Sequence, residues 1–187
     1  MRVLDLFCGL GGWSKGFDQE GFEVLGVDIV DVGYPFDLII QDVRTLDGER
    51  FRGFDVIVGS PPCRDFSVIS QHYRARAWRN PIDPMKGLEL VDAFLRVIRE
   101  AEPQYWLMEN VPGLCKYLSL KPRCKPRLTP TMRRVFWGNF PAFLIPTVNR
   151  PKIKEIHGKL QSWKRAEIPT PISNALATAI KSQMESA

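Results

Sequence analysis

The sequence contains no C-x-x-C pair. Its four cysteines, Cys8, Cys63, Cys115 and Cys124, stand far apart, which argues against a zinc ribbon or a dithiol redox centre, and no metal site is expected. No apolar run approaches the roughly 20 residues that a bilayer-spanning helix requires. The opening residues, MRVLDLFCG, enter a strand pattern at once and leave no room for the segments of a secretory signal. An intracellular, cytoplasmic location with free thiols is therefore expected. Acid is also missing from one region: residues 121–165 hold twelve Lys and Arg against Glu155 alone, whereas residues 1–60 hold eleven Asp and Glu against five Lys and Arg. Clustered positive charge with interspersed Trp137, Trp163 and His157 suits a phosphate-backbone binder, although a solvated basic face has the same composition.

What is present reads as one α/β core. RVLDLF (Arg2 to Phe7) and FEVLGVDI (Phe22 to Ile29) are expected strands, joined by a glycine-rich turn and a helix closed by Gly21. DLIIQDV (Asp37 to Val43), FDVIVGS (Phe54 to Ser60) and QYWLMEN (Gln104 to Asn110) are short apolar runs of the kind buried on both faces of a parallel sheet. Leu88, Val91, Phe94, Leu95 and Ile98 recur at helical spacing and predict a helix from Gly87 to Ala101. RRVFWGNF (Arg133 to Phe140) predicts a further strand, and the chain ends in a proline-led helix. The expected fold is a single doubly wound, mostly parallel sheet with crossover helices.

Three strand ends are expected to face one crevice. Gly9, Gly11 and Gly12 let the backbone approach a ligand closely, but Ser14 stands where the dinucleotide fingerprint needs its third glycine, which demotes NAD. Asp28 and Asp42 close the second and third strands, where carboxylates can accept hydrogen bonds from ribose hydroxyls. A glycine turn with two such acids suits a nucleoside cofactor without pyrophosphate, for which S-adenosylmethionine is the candidate. After the fourth strand, SPPC places Cys63 behind two prolines that stiffen the turn and remove two backbone donors. A thiolate there suits covalent attack on an electrophilic ring carbon. In MENVPG, Glu109 ends the fifth strand, where a carboxyl can hydrogen-bond a ring nitrogen and an exocyclic amine.

DLFCGLGGWSKGF, GVDI, SPPCRDFS and MENVPG, in this order, resemble the cytosine-C5 DNA methyltransferase family, and RRVFWGN and ISNALATAI resemble weaker versions of its later motifs. The resemblance implies a methyltransferase of Rossmann-like fold that moves a methyl group from S-adenosylmethionine, leaving S-adenosylhomocysteine, to C5 of a flipped cytosine through a Cys63–C6 adduct. Cys63, Glu109 and Arg134 would be catalytic. Phe7, Cys8, Gly9, Gly11, Gly12, Asp28, Ile29, Asp42, Val43, Pro61, Asn174 and Ala175 would hold the cofactor. Pro62, Arg64, Ser67, Asn110, Val111 and Arg133 would meet the substrate, with Arg74, Arg76 and Arg79 on a loop closing over the base.

The resemblance favours DNA over RNA and a prokaryotic or viral-host cytoplasm. An RNA cytosine methyltransferase and a catalytically weak nucleic-acid-binding or regulatory homologue are the alternatives. Three departures stand out. Arg64 replaces the usual Gln after the nucleophile; residues 130–134 read Pro-Thr-Met-Arg-Arg where the family has Gln-x-Arg-x-Arg; and residues 139–167 take the place of a sizeable target-recognition domain. The expected organisation is thus one catalytic domain over 1–187, with 139–167 a reduced recognition segment and 168–187 a helix on the cofactor side. A partner subunit or second protomer could supply target recognition.

Overall fold

The computed structural model describes residues 1–67, 83–129, 132–148 and 167–186. The elements, in chain order, are β1 (Arg2–Leu6), α1 (Ser14–Gln19), β2 (Glu23–Asp28), β3 (Asp37–Ile40), β4 (Val56–Gly59), α2 (Pro84–Ala101), β5 (Tyr105–Asn110), β6 (Arg127–Thr129), β7 (Met132–Arg133), β8 (Val135–Asn139) and α3 (Thr170–Glu185), with 3-10 turns at Val43–Thr45, Gly48–Phe51 and Pro112–Lys116. Six strands form one sheet in the order β3-β2-β1-β4-β5-β8, and β6 pairs with β7 in a separate hairpin. The neighbours from β3 to β5 run parallel; β8 runs antiparallel to β5. This is a doubly wound, mostly parallel sheet of the Rossmann-like type. Strand order reverses between β1 and β4, and the crevice beyond the carboxyl ends of those strands is where such sheets take ligands.

Alternation along the strands divides the core into two layers. Val3, Val24, Val56, Val58, Leu107 and Phe136 face α1 and α3, meeting Phe17, Ile172, Leu176 and Ile180. Leu4, Leu6, Val27, Ile57, Met108 and Trp137 face α2, meeting Val91, Phe94, Val97 and Ile98. The helix expected from Gly87 begins earlier, at Pro84, because Asp83 caps it by accepting from the Met85 N–H at 3.1 Å and proline suits the first helical turn. At its other end Glu102 takes a left-handed conformation, φ 51°.

Two expectations are corrected. The strand expected over Asp37 to Val43 stops at Ile40, since Asp42 turns its carboxylate onto the Arg44 N–H (2.9 Å) and starts a 3-10 turn instead. The strand expected over Arg133 to Phe140 is divided, with Arg133 in the β6–β7 hairpin and Val135–Asn139 in the sheet. The β2–β3 connection, residues 29–36, also has no helix, although parallel strands ordinarily need about a dozen residues to cross over. Tyr34 provides the cover: its ring lies over Gly26, where a Cβ would come within 2.5 Å of it.

Helix α3 lies directly on α1. A Cβ on Gly16 would fall 1.9 Å from Ser173 Oγ and 2.3 Å from Asn174 N, so no side chain fits between the two helices. Lys15 and Glu167 lock the entry to α3 at 2.6 Å. Among the described residues no helix is long and apolar enough to cross a membrane. Gly16→Ala is expected to push α3 off α1 and lower unfolding stability by about 1–3 kcal/mol, the usual cost of overpacking; urea titration measures it, and an unchanged midpoint would contradict the packing described.

Candidate active site

The turn after β1 carries backbone strain. Phe7 has φ 59°, unusual for a residue with a side chain, followed by Gly9 (φ 51°) and Gly11 (φ 77°). The chain is held in this shape by Asp28, whose Oδ2 accepts from the Gly9 N–H (3.0 Å) while Oδ1 accepts from its neighbour Ile29 N–H (2.8 Å). Burial raises the Asp28 carboxyl above its ordinary range, and those backbone donors oppose the shift. Ile29 and Ile40, at the ends of β2 and β3, are among the most exposed large apolar side chains, with Val30 beside them. Apolar surface left open beside a buried acid and a bare glycine turn suits a ligand with a flat ring and a polar sugar.

Asp5, which opens the DLFCGLGGWSKGF motif but is not among the expected site residues, is the most strongly perturbed carboxyl near the crevice. Alternation places it in the α1 layer, where the Ser14 hydroxyl donates to its Oδ2 at 2.6 Å and Tyr34 O–H in turn reaches Ser14 at 2.6 Å. Its Oδ1 is buried with no hydrogen-bond partner among the described residues. Burial pushes its pKa from 3.8 to about 7, partly offset by Ser14. Its signals in the sequence are its place at the head of that motif and its charge among the apolar residues of VLDLF.

On the other side of the switch point the chemistry-bearing groups meet. Asn110, fully buried at the end of β5, donates from Nδ2 to the Pro61 carbonyl at 2.9 Å and accepts the Val111 N–H at Oδ1, also at 2.9 Å. It fastens the proline turn to the neighbouring strand. Beyond Cys63 the chain turns back, Phe66 N–H donating to the Cys63 carbonyl at 3.1 Å. The Phe66 backbone then lies so close to Gly113 that a Cβ there would meet the Phe66 carbonyl at 1.9 Å. Cys63 is thus held from both ends. Trp13 Nε1 donates to Ser60 Oγ at 3.0 Å and ties this turn to the glycine turn.

Glu109 is buried beside the thiol and forms an ion pair with Arg134, whose Nε stands 2.5 Å from Oε1. Burial raises the Cys63 thiol above its ordinary value; the Glu109 charge raises it further, and Arg134 works against both. Arg64 is expected from the sequence to add positive charge near the thiol. Its guanidinium instead stands exposed, 3.8 Å from Asp65, and is not among the charges that shift Cys63.

The remaining expected residues are placed unevenly. Pro61 is buried, Pro62 exposed, and Ser67 and Val111 partly exposed at the same strand ends. Cys8 and Gly12 are buried in the wall of the glycine turn, with Ile168 pressed on Gly12. Asp42 is expected at the cofactor, yet its carboxylate is gripped by the Arg44 side chain at 2.6 Å, and the Val43 side chain points into the α2 layer. Asn174 is expected there too, but its amide donates to Glu20 Oε1 at 2.9 Å, near the end of α1; Ala175 follows on α3. The residue of α3 that reaches the glycine turn is Ser173, donating to the Trp13 carbonyl at 2.6 Å. Arg133 is exposed on β7. Arg74, Arg76 and Arg79 lie outside the described residues.

Two measurements check these electrostatics. Below the unfolded pKa of 3.8 the Asp5 carboxyl is neutral in both states; as pH rises toward about 7 only the unfolded chain ionises, so stability falls, by at most about 4 kcal/mol. Asp5→Asn is expected to remove that decline in urea titrations across this range, and parallel slopes in the two proteins would contradict it. For Cys63, the pH midpoint of iodoacetamide alkylation, located by mass spectrometry, should lie above that of an ordinary thiol. It should move down in Glu109→Gln and up in Arg134→Gln; the reverse order would contradict the assigned causes.

The sequence pattern of the family described as C-5 cytosine-specific DNA methylase matches residues 1–121. The type II methyltransferase M1.HphI of Haemophilus parahaemolyticus is 34% identical over 140 residues, which are 67% of this chain and 36% of that protein. The type II methyltransferase M.XorII of Xanthomonas oryzae pv. oryzae is 32% identical over 128 residues, covering 59% of this chain and 28% of its own. A solved structure described as a DNA modification methyltransferase encoded within an E. coli prophage matches with a TM-score of 0.55 and 27% identity, over 74% of this chain and 46% of that one. The chain spans about a third of the length of these two sequence relatives. With its glycine turn, proline-held cysteine and buried glutamate in one crevice, this chain belongs to the C-5 cytosine-specific DNA methylase family.

Proposed function

We propose that the chain methylates C5 of cytosine in DNA, with Cys63 as nucleophile and S-adenosylmethionine as methyl donor. The observation that carries this reading is the placement of Cys63 on a turn fixed by Asn110, beside the buried Glu109–Arg134 pair and across the sheet from the glycine turn. The residues of that turn fit a nucleoside cofactor: Gly9 and Gly11 leave a bare backbone cradle, Asp28 sits at its rim, and Asp5 offers a buried oxygen with no donor among the described residues. When bound, the cofactor supplies an electrophilic methyl group. Phe7 to Gly12 would cradle it and Ile29 would lie against its ring; Asp42 could reach it only by sharing its carboxylate with Arg44.

In this reading Cys63 gives its proton to water and the thiolate sulfur bonds to C6, which shifts the C5–C6 electron pair toward C5. Glu109, oriented by Arg134 and taking up a proton from water as the base arrives, donates that proton to N3 while its other oxygen accepts from the exocyclic amine, which offsets the negative charge that develops on the ring. C5 then takes the methyl group and gives its proton to water; the C5–H electron pair re-forms the C5–C6 double bond as the C6–S bond breaks with its pair on sulfur, N3 returns its proton to Glu109, and the thiolate is reprotonated by water. The resting thiol is held protonated by burial and by Glu109, so activation would follow the arrival of the base against Glu109. Target recognition would come from a partner subunit, a second protomer or relaxed specificity, because residues 140–169 are all that separate β8 from α3.

A 5-fluorocytosine substrate tests this, since fluorine cannot leave C5 as the proton does and the Cys63 adduct persists. With S-adenosylmethionine and fluorocytosine DNA, a denaturation-resistant adduct is expected, lost in Cys63→Ser. An adduct on RNA alone would assign the RNA reading, and none on either despite binding would overturn the enzymatic one.

A further inference from the structure

The β6–β7 hairpin stands beside the crevice and carries charge of one sign. Its inward residue, Leu128, is fully buried in the α1 layer, and Cys124 pairs with Phe136 of β8, so the alternate residues Lys125 and Arg127 are turned outward. Arg134 N–H donates to the Pro126 carbonyl at 3.0 Å and fixes the hairpin against the strand that follows. Arg127 and Arg133 are direct cross-strand partners. Like charges in that position repel, and among the described residues no carboxylate pairs with Lys125, Arg127 or Arg133. These three, with Arg134 and Pro112, line a cavity of about 360 Å³. Volumes of roughly 300 Å³ and above are those of small-ligand sites.

We propose that this cavity holds a backbone phosphate of the DNA strand that carries the target cytosine, with Lys125 and Arg127 as contacts additional to the family-motif arginines. The proposal rests on the reading of the chain as a nucleic-acid enzyme. Arg134 joins the two places, since it pairs with Glu109 and also lines the cavity. A base extruded toward Glu109 and Cys63 carries its own phosphates to the rim of the crevice, and opposed guanidinium groups suit a phosphate, which each can bind through two parallel hydrogen bonds. An anion between Arg127 and Arg133 converts a repulsive cross-strand pair into an attractive cluster. Such a grip reads no bases, so it supplies affinity without a large recognition domain.

The test uses the whole chain, a short fluorescein-labelled DNA duplex of mixed sequence, and the double variant Lys125→Gln/Arg127→Gln. Fluorescence anisotropy across a KCl series should show affinity down by roughly tenfold or more. The salt slope should fall by about 0.9 for each phosphate that the variant no longer neutralises, while calorimetric binding of S-adenosylmethionine is unchanged. A second measurement needs no variant: a single neutral methylphosphonate beside 5-fluorocytosine should weaken wild-type binding and have no further effect on the double variant. Affinity and slope equal to wild type, or indifference to methylphosphonate at every position flanking the target, overturns the proposal. Polyglutamate bound as tightly as DNA, and released equally in the variant, overturns it in favour of an acidic protein partner. Binding through these residues with no adduct removes the methyl-transfer reading and leaves the phosphate site standing. An adduct formed equally by variant and wild type at every salt concentration does the opposite.

Discussion

The geometry of the crevice depends on one side-chain amide. Pro61 and Pro62 have no N–H to give, so the turn after β4 cannot fasten itself to β5 by ordinary ladder bonds. Asn110 does this instead, donating to the Pro61 carbonyl and accepting from Val111, with no exposure to solvent. Leaving either buried group without its partner costs about 1–3 kcal/mol, enough to favour one arrangement of the turn strongly. Glu109 immediately precedes that amide and Cys63 lies two residues beyond the carbonyl it holds. The Cys63 thiol and the Glu109 carboxylate are therefore spaced by the fold before any ligand arrives, and the close approach of Phe66 to Gly113 fixes the far side of the same turn.

The charge asymmetry along the sequence becomes an asymmetry across the sheet. The acidic first sixty residues supply Asp5 and Asp28, two carboxyls raised by burial around the glycine turn. The basic region supplies the hairpin and Arg134. Between them sits a thiol whose surroundings oppose one another: Glu109 disfavours the thiolate and Arg134 favours it. A group arriving against Glu109 changes the charge facing Cys63 without moving the backbone. Trp13 spans the two sides through Ser60 and also packs edge-on against Phe136, 6.0 Å between ring centres, so the glycine turn and the proline turn are coupled by a rigid ring.

The parallel sheet is legible in the sequence because its central strands are buried on both faces and read as largely apolar runs, VIVG above all, while the edge strand β3 is half-exposed. The strand-end residues are legible because glycine, proline and acid punctuate each run. What pattern does not supply is the destination of individual polar atoms. Asp42 looks like a free strand-end acid until Arg44, two residues on, is seen to fold back on it. Arg64 lies next to Cys63 in sequence, but backbone direction at the turn carries its guanidinium to the surface. Asp5 is hidden inside an apolar strand, since alternation alone does not say which inward position can tolerate a carboxyl. The missing β2–β3 helix is likewise invisible until Tyr34 is found over Gly26, a contact no local propensity encodes.

The match covers about a third of each named relative, and the walls of the crevice close within this chain because of where its elements sit. The last helix needs no sheet edge: it seats on α1 through Gly16, and Ser173, Glu167 and Ile168 brace the glycine turn from behind. The hairpin likewise stands beside β8 through Leu128, the Cys124–Phe136 bridge and the bond from Arg134 N–H to the Pro126 carbonyl. Both devices depend on short, specific contacts rather than on a second core. The energetic consequence is that the crevice walls are held by the packing of the sheet against its own helices, with the basic hairpin standing beside them.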